Sequence, residues 1–522
     1  MVSDQSTGLS PCLIATVGNN LPFTYSLTEI FLFFPVFLIP QRYILGIMGF
    51  LAVVNAYTMR VSLSIAITEM VAPSNSSDTY DPEACPADGS GNSSGTVTDA
   101  NILYDWDETT QGLILSSFYW GYVITHLPGG ILAEKFGGKY SLGLGILSTA
   151  IFTLITPWVI YYTDGNWKIL VLLRVIEGLG EGTTYPALNA LLAKWVPLGE
   201  RAKIGTLVYA GGQIGTIVSN SISGALINAT KDWASVFYLF GGLGLLWFVV
   251  WTLICYSDPE SHPFISDDEK IFLKKELENV SNEKRDIPWT GILTSAPLWA
   301  LVAAQIGHDW GFFTMVTDLP KYMSDVLKFN VKENGLWSSV PYIVMWLVSM
   351  SSGWLCDWLI TRGHMKITFT RKFFTTIASL GPAIFIMAAS YSGCEKYLTV
   401  GMFTVAMGFM GTFYCGMKVN ALDLSPNFAG TLMAIVNGIG AITGIITPYL
   451  TGALTEDHTV KEWRTVFWIS FAVFNVTNII YCIFGSGEEQ WWNASETMKL
   501  KNRPLDLEIG DGKRKTSRPV KS

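Results

Sequence analysis

The sequence predicts an all-α membrane protein with twelve transmembrane helices in two six-helix halves. Three observations carry that expectation. Half of the 522 residues are apolar, only 15% are charged, and the mean hydropathy is +0.35; soluble domains carry about 25% charged residues. The charges are clumped, leaving apolar stretches long enough for a bilayer core of about 30 Å, which takes about 20 helical residues to cross. A polar, mixed-charge stretch over residues 257–290 then cuts these segments into six plus six. The net charge of −8 excludes a basic, phosphate-seeking surface and hence a nucleic-acid partner. Seven scattered cysteines are too few for a disulfide scaffold.

The predicted spans are 43–69, 111–132, 140–160, 169–193, 204–227, 234–256, 296–320, 335–356, 373–391, 398–417, 429–453 and 465–485. They divide the chain into an N-terminal extension 1–41 (cytosolic or interfacial), an N-terminal half 42–256, a cytosolic linker 257–290, a C-terminal half 291–485 and a cytosolic tail 486–522. The extension has no basic residue before Arg42, so it is not an ordinary signal peptide. Lys and Arg set the orientation of a membrane protein. With both termini inside, 24 of them fall on the cytosolic side and 8 outside, leaving Arg60 and Arg174 within spans. Loop 71–110 then faces outside or into a lumen. It holds the acceptor sequons at Asn75 and Asn92, and a third at Asn228 falls in another outside loop. These three are the expected glycosylation sites. Whether Cys85 and Cys394, both expected outside, pair with one another stays open.

The two halves repeat a loop signature. Gly130 is followed by Glu134 and Lys135 after span 2, and Gly353 by Asp357 and Arg362 after span 8. Spans 2 and 8 are equivalent positions in a six-plus-six duplication. Glu134 and Asp357 are therefore candidate gating residues, latching to a neighbouring span in one state and releasing it in another; the plainer alternative is a tight turn with solvated charges. Spans 5 and 11 are also equivalent and both glycine-rich, with Gly211, Gly212, Gly215 and Gly224 in one and Gly438, Gly440, Gly444 and Gly452 in the other. Small residues let helix backbones approach closely in lipid.

Ionisable groups inside spans are costly and usually functional. Arg60 in span 1 and Arg174 in span 4 are expected at similar depth, given a rise of about 1.5 Å per residue along oppositely directed helices. Two guanidiniums present planar forks of donors that suit an anion. For Arg174 the bland alternative is snorkelling to the outer interface. Glu177 and Glu181 lie three and seven residues after Arg174, on the same helix face. Either can neutralise an arginine when substrate is absent, take up a proton, or hold a cation; a fixed structural ion pair is the alternative. His308, beside Asp309 in span 7, is a candidate site residue or a satisfied core histidine, and His126 reads as structural. No nucleotide loop, zinc motif or hydrolase elbow is present, so transport would run on an ion gradient.

Several segments together resemble the anion:cation symporter family of the major facilitator superfamily, the group of sialin, the vesicular glutamate transporters and the type I sodium–phosphate cotransporters. They are Asn55 to Arg60, Gly121 to Gly130, Arg174 to Ala187, Lys194 to Arg201, Leu319 to Met323, Asn420 to Pro426 and Ser486 to Gln490. The overall look is most similar to invertebrate chains named for inorganic phosphate cotransport. The resemblance implies a secondary-active carrier working by alternating access, with Arg60 and Arg174 as substrate-anion arginines, Tyr185 and His308 beside them, and Glu181 coupling a proton or sodium ion with Glu177 nearby. His308 stands where the glutamate transporters have a third arginine, and Leu115 where they have a histidine, so phosphate or a small organic anion is the expected substrate. No cofactor beyond the co-transported Na+ or H+ is expected, and the partners are the anion, the coupling cation and the bilayer, for a monomer in a membrane that is expected to be the plasma membrane, with a lysosomal or vesicular membrane as the alternative. The alternatives are a proton-coupled lysosomal exporter of acidic sugars and a non-transporting receptor or scaffold on a carrier fold.

Overall fold

The computed structural model describes residues 39–71, 104–278, 287–425, 428–457 and 459–493. Asn75, Asn92, Cys85 and most of the two terminal segments lie outside these residues. The N-terminal half runs through α1 (Gln41–Met70), α2 (Glu108–Phe136), α3 (Gly138–Tyr162), α4 (Trp167–Glu181), α5 (Thr184–Trp195), α6 (Leu198–Thr230) and α7 (Ala234–Ile254). Local chemistry sets the ends. Asp107 caps α2 by accepting from the Thr110 amide at 2.9 Å, and Asn166 caps α4 through the Lys168 amide at 3.1 Å. Between α2 and α3 the chain turns at Gly137 with φ +88°, where a Cβ would sit 2.5 Å from the Ser257 hydroxyl.

The linker is not merely polar coil. It contains α8 (Asp267–Glu278), and the Glu269 carboxylate accepts from the backbone amides of Gln41 at 2.8 Å and Arg42 at 3.2 Å. Arg42 bridges Glu269 and Glu200 at 3.0 and 2.7 Å. Acid at the start of α1 also suits the positive helix N-terminus.

The C-terminal half holds α9 (Trp289–Leu293), α10 (Ala296–Phe313), α11 (Leu319–Asp325), α12 (Val331–Thr361), α13 (Ile367–Ser390), α14 (Lys396–Met410), α15 (Asn420–Leu424), α16 (Ala429–Gly440), α17 (Thr443–Leu454) and α18 (Val460–Phe484). A π-turn at Thr314–Asp318 joins α10 to α11, and a second at Tyr414–Lys418 lies between α14 and α15. Eight helical segments are both long and apolar enough to cross a membrane among the described residues. The other predicted spans coincide with α2, α4–α5, α6 and α10–α11, which are more polar or broken.

The halves meet along two seams, α2 against α17 and α6 against α12. The seams are closest at the end of the bundle away from Gln41 and Phe484. A Cβ on Gly112 would fall 2.4 Å from the Pro448 carbonyl oxygen and 3.2 Å from the Gly452 Cα, and one on Gly224 would fall 2.9 Å from the Gly335 Cα. Of the span-5 glycines, Gly224 alone sits on a seam; Gly211 and Gly215 let α6 lie against the α1 backbone at Phe50 and Val54. Hydrogen bonds reinforce the contact between halves. Lys321 donates to the Glu108 carboxylate and, at 3.0 Å, to Gln111; the Ser221 and Ser339 hydroxyls lie 2.8 Å apart.

Cys394 is disulfide-bonded, while Cys255, Cys356, Cys415 and Cys482 are free. Asn228 is half-buried in the last turn of α6, where its side-chain oxygen accepts from Lys231 at 3.2 Å.

Candidate functional site

The site grows from two helices that bring opposite charges into an apolar interior. Arg60 points from α1 and is 5% exposed; Arg174, Glu177 and Glu181 all point from α4 and are 1–2% exposed. Spacing alone puts the α4 trio on one face, and the structure sorts it into two pairs. Glu181 accepts from Arg60 across the helices, and Glu177 accepts from Arg174 at 2.6 Å, three residues along the same helix. The pairs are linked, because Arg174 also donates to the Arg60 carbonyl oxygen at 3.1 Å. The two guanidiniums thus lie side by side within the bundle. Arg174 is not at an interface reaching for water; it is enclosed.

Aromatic rings cage the cations. Phe118 lies 4.9 Å from both guanidinium carbons, and Tyr57 and Tyr122 lie 4.5 and 4.9 Å from that of Arg60. Such faces attract cations electrostatically. Tyr119 extends the cage to the other half, stacking edge-on against Phe313 at 4.7 Å. The Thr156 hydroxyl gives its proton to the Phe152 carbonyl oxygen at 2.8 Å and lies 3.4 Å from the Glu177 carboxylate. Several polar atoms are buried without a partner: Nε of Arg60, Nε of Arg174 and Oε2 of Glu181. A buried polar atom left unmatched costs free energy, so this network has unspent donors and an acceptor.

Helix α4 stops at Glu181 and the chain resumes at Thr184, with Gly178, Gly180 and Gly182 in the approach. These glycines allow contact: a Cβ at Gly178 would fall 1.9 Å from the Phe118 carbonyl oxygen. The equivalent rod of the other half is interrupted as well, at Gly411–Lys418. Just past the first break, the Tyr185 hydroxyl donates to that of Tyr57 at 3.3 Å, next to the Arg60 cage.

The remaining predicted residues are placed differently. His308 is buried on α10 and lies flat on Phe413 at 3.4 Å; its contacts are to C-half rings, and its Nδ1 has no partner. Asp357 is exposed, and the arginine of the neighbouring helix, Arg371, goes instead to Asp423 at 2.7 Å. The side chain of Glu134 lies outside the described residues.

Sequence reading missed three charged groups. Lys321 and Lys418 each fall one residue beyond a predicted span and so read as loop residues, yet Lys321 is buried and Lys418 donates to Asn437 inside the bundle at 2.6 Å. Asp318 falls inside a predicted span, next to no other charge that marks it out. The available signal was the triplet spacing of Asp318 and Lys321 on one rod, which is weak alone.

The chain is similar to known proteins over most of its length. Residues 45–448 match the Major Facilitator Superfamily. Human sialin is 40% identical over 456 residues, covering 87% of this chain and 91% of sialin. A Drosophila melanogaster protein named for inorganic phosphate cotransport is 40% identical over 471 residues, covering 88% of each chain. Bovine vesicular glutamate transporter 2 is 32% identical over 484 residues, covering 91% of this chain and 80% of that one. Among solved structures, a D-xylose–proton symporter superposes with a TM-score of 0.62 at 13% identity over 86% of this chain and 99% of its own, a likeness of fold. The chain therefore belongs to the Major Facilitator Superfamily and, within it, to the anion:cation symporter group that includes sialin and the vesicular glutamate transporters.

Proposed function

We propose that this multi-pass membrane protein is an ion-coupled anion carrier in which Arg60 and Arg174 receive the anion and Glu181 and Glu177 are its exchangeable counter-charges. The observation that carries this reading is the linked, buried pair of pairs, whose guanidiniums keep free Nε donors. A permanent neutral quartet would serve only to hold α1 to α4, and a well-packed apolar set does that at no desolvation cost. An anion entering the cage displaces a carboxylate from its arginine. The freed carboxylate then takes a cation, which links the two movements. Inorganic phosphate or a small organic anion is the proposed substrate, H+ or Na+ the coupling ion, and one chain the working unit, since it carries both halves.

The test is tracer phosphate uptake by proteoliposomes of the purified chain, with Na+ and pH gradients imposed separately. Arg174→Ala should lower uptake at least tenfold, and Glu181→Gln should abolish gradient dependence. Full uptake by Arg174→Ala sinks the clamp assignment. The 40% identity to sialin supports a second reading, export of acidic sugars from an acidic organelle. Proton-driven uptake of a tracer acidic sugar without phosphate uptake, with a tagged chain in lysosomes rather than the plasma membrane, would favour it.

A further inference from the structure

We propose that Asp318 is a proton-carrying site of the C-terminal half, distinct from the Arg60–Glu181 network. The proposal rests on reading the chain as an ion-coupled carrier and adds a second ion-coupling position to it.

Asp318 ends the π-turn between α10 and α11 and is 2% exposed. Short π segments often mark functional positions, because they break the regular backbone pairing. No basic side chain bonds to Asp318 among the described residues. Lys321, the nearest cation on its own rod, is engaged with Glu108 and Gln111 of α2. The other groups facing Asp318 are neutral. Thr447 and Thr451 approach from α17, and Tyr342 approaches from α12 with its hydroxyl unpartnered. Thr314, Tyr322, Phe403, Trp463 and Phe467 surround a cavity beside Asp318 that is large enough for about one water. A bare carboxylate in that setting carries a heavy desolvation penalty.

The hydrogen-bond geometry accounts for the proton. The Thr451 hydroxyl oxygen lies 2.9 Å from Oδ2 of Asp318 and 2.9 Å from the Thr447 carbonyl oxygen. A threonine hydroxyl has one proton to give. The Thr317 hydroxyl is already spent on the Phe313 carbonyl at 2.6 Å. Both Thr451 contacts become good hydrogen bonds when the second proton sits on the carboxyl: Asp318 donates to Thr451, and Thr451 donates to Thr447.

Asp318 lies on the segment that the Lys321–Glu108 tie fastens across the halves. Parting that end breaks the tie and admits water. The carboxylate takes a proton from water there, carries it as a neutral acid when the end closes, and returns it to water from the other side. Among the residues that line the cavity only Thr314, Asp318 and Tyr322 carry side-chain oxygens, so the proton is the assigned ion.

Two measurements on the full-length chain decide this. Infrared difference spectra of purified wild type and Asp318→Asn at neutral pH should show a protonated-carboxyl band that the substitution removes; identical spectra overturn the proposal, whatever the substrate. In proteoliposomes, Asp318→Asn should keep tracer phosphate exchange and lose pH-driven accumulation at least tenfold, with Asp318→Glu restoring part of it. Undiminished pH-driven accumulation by Asp318→Asn overturns the proposal. Sodium that stabilises wild type but not Asp318→Asn against heat overturns it in favour of a sodium site. If wild type moves no phosphate, the anion-carrier reading fails at that substrate while the infrared result still decides the proton.

Discussion

Single residues in this chain do what their surroundings allow. His262, in the linker, is buried among Trp195, Tyr256 and Phe264. Its Nδ1 accepts from the Phe264 amide at 3.1 Å, and its Nε2 lies 3.1 Å from the Ile254 carbonyl oxygen. The neutral ring satisfies both partners; a protonated ring loses the first. Burial accordingly holds its pKa below the ordinary value, only partly offset by the Ile254 carbonyl and the Glu269 carboxylate. A folded pKa below the unfolded one means that the unfolded chain binds more protons as pH falls. The stability from His262 is thus complete above about pH 6.5 and lost progressively below it. Comparing thermal unfolding of wild type and His262→Asn in detergent should show a gap at pH 7.5 that narrows at pH 5. A gap that widens on acidification contradicts the assignment. Arg60 and Arg174 stood out in the sequence for an equally local reason: a charge inside an otherwise apolar span is costly and calls for a partner. Asp318, Lys321 and Lys418 did not, since their partners come from distant segments and a charge near the edge of a window reads as the start of a loop.

At the scale of elements, the rods and their order were legible because length and hydropathy are properties of one segment. The breaks were not. Gly178 and Gly180 precede the gap between α4 and α5 and Gly182 lies in it, but glycine is common in membrane helices and only the facing carbonyls of Phe118, Gly145 and Tyr122 show why it is required. The glycine-rich faces of spans 5 and 11 could be read as close-packing surfaces without revealing which glycines touch the other half. Gly335 illustrates the answer. A Cβ there would fall 2.4 Å from the Asn220 carbonyl oxygen. Gly335→Ala should penalise the closed seam by about 1–3 kcal/mol, as overpacking does, and shift the molecule toward the arrangement in which α6 and α12 part. A single reporter cysteine at Ser339, on that seam, should then react with a water-soluble thiol reagent at least fivefold faster. An unchanged rate would mean that α6 and α12 never separate.

For the whole molecule, each loop signature is local to one segment and so could be read from the sequence, whereas the contacts between halves join residues far apart in the chain. Lys321 and Glu108 form such a contact, both nearly buried. Removing one partner of a buried ion pair leaves an uncompensated charge and costs about 3–5 kcal/mol, whereas an uncharged, well-packed replacement of both is often neutral. Lys321→Met and Glu108→Gln should each lower the unfolding temperature in detergent, and the double substitution should recover most of the loss. Additive losses would show that the two side chains act independently.

The glycine pairs on the two seams bear on electrical behaviour. Where Gly112 faces Gly452 and Gly224 faces Gly335, backbone lies on backbone, leaving no room for side chains whose rotamers could flicker open. Such contacts leave water no passage between the paired helices at these points, and a thread of water is what protons and sodium ions need to drift down their gradients unaccompanied. A side chain at any of these four positions should therefore raise the passive ion leak of a membrane rich in the carrier, read as a faster loss of its voltage.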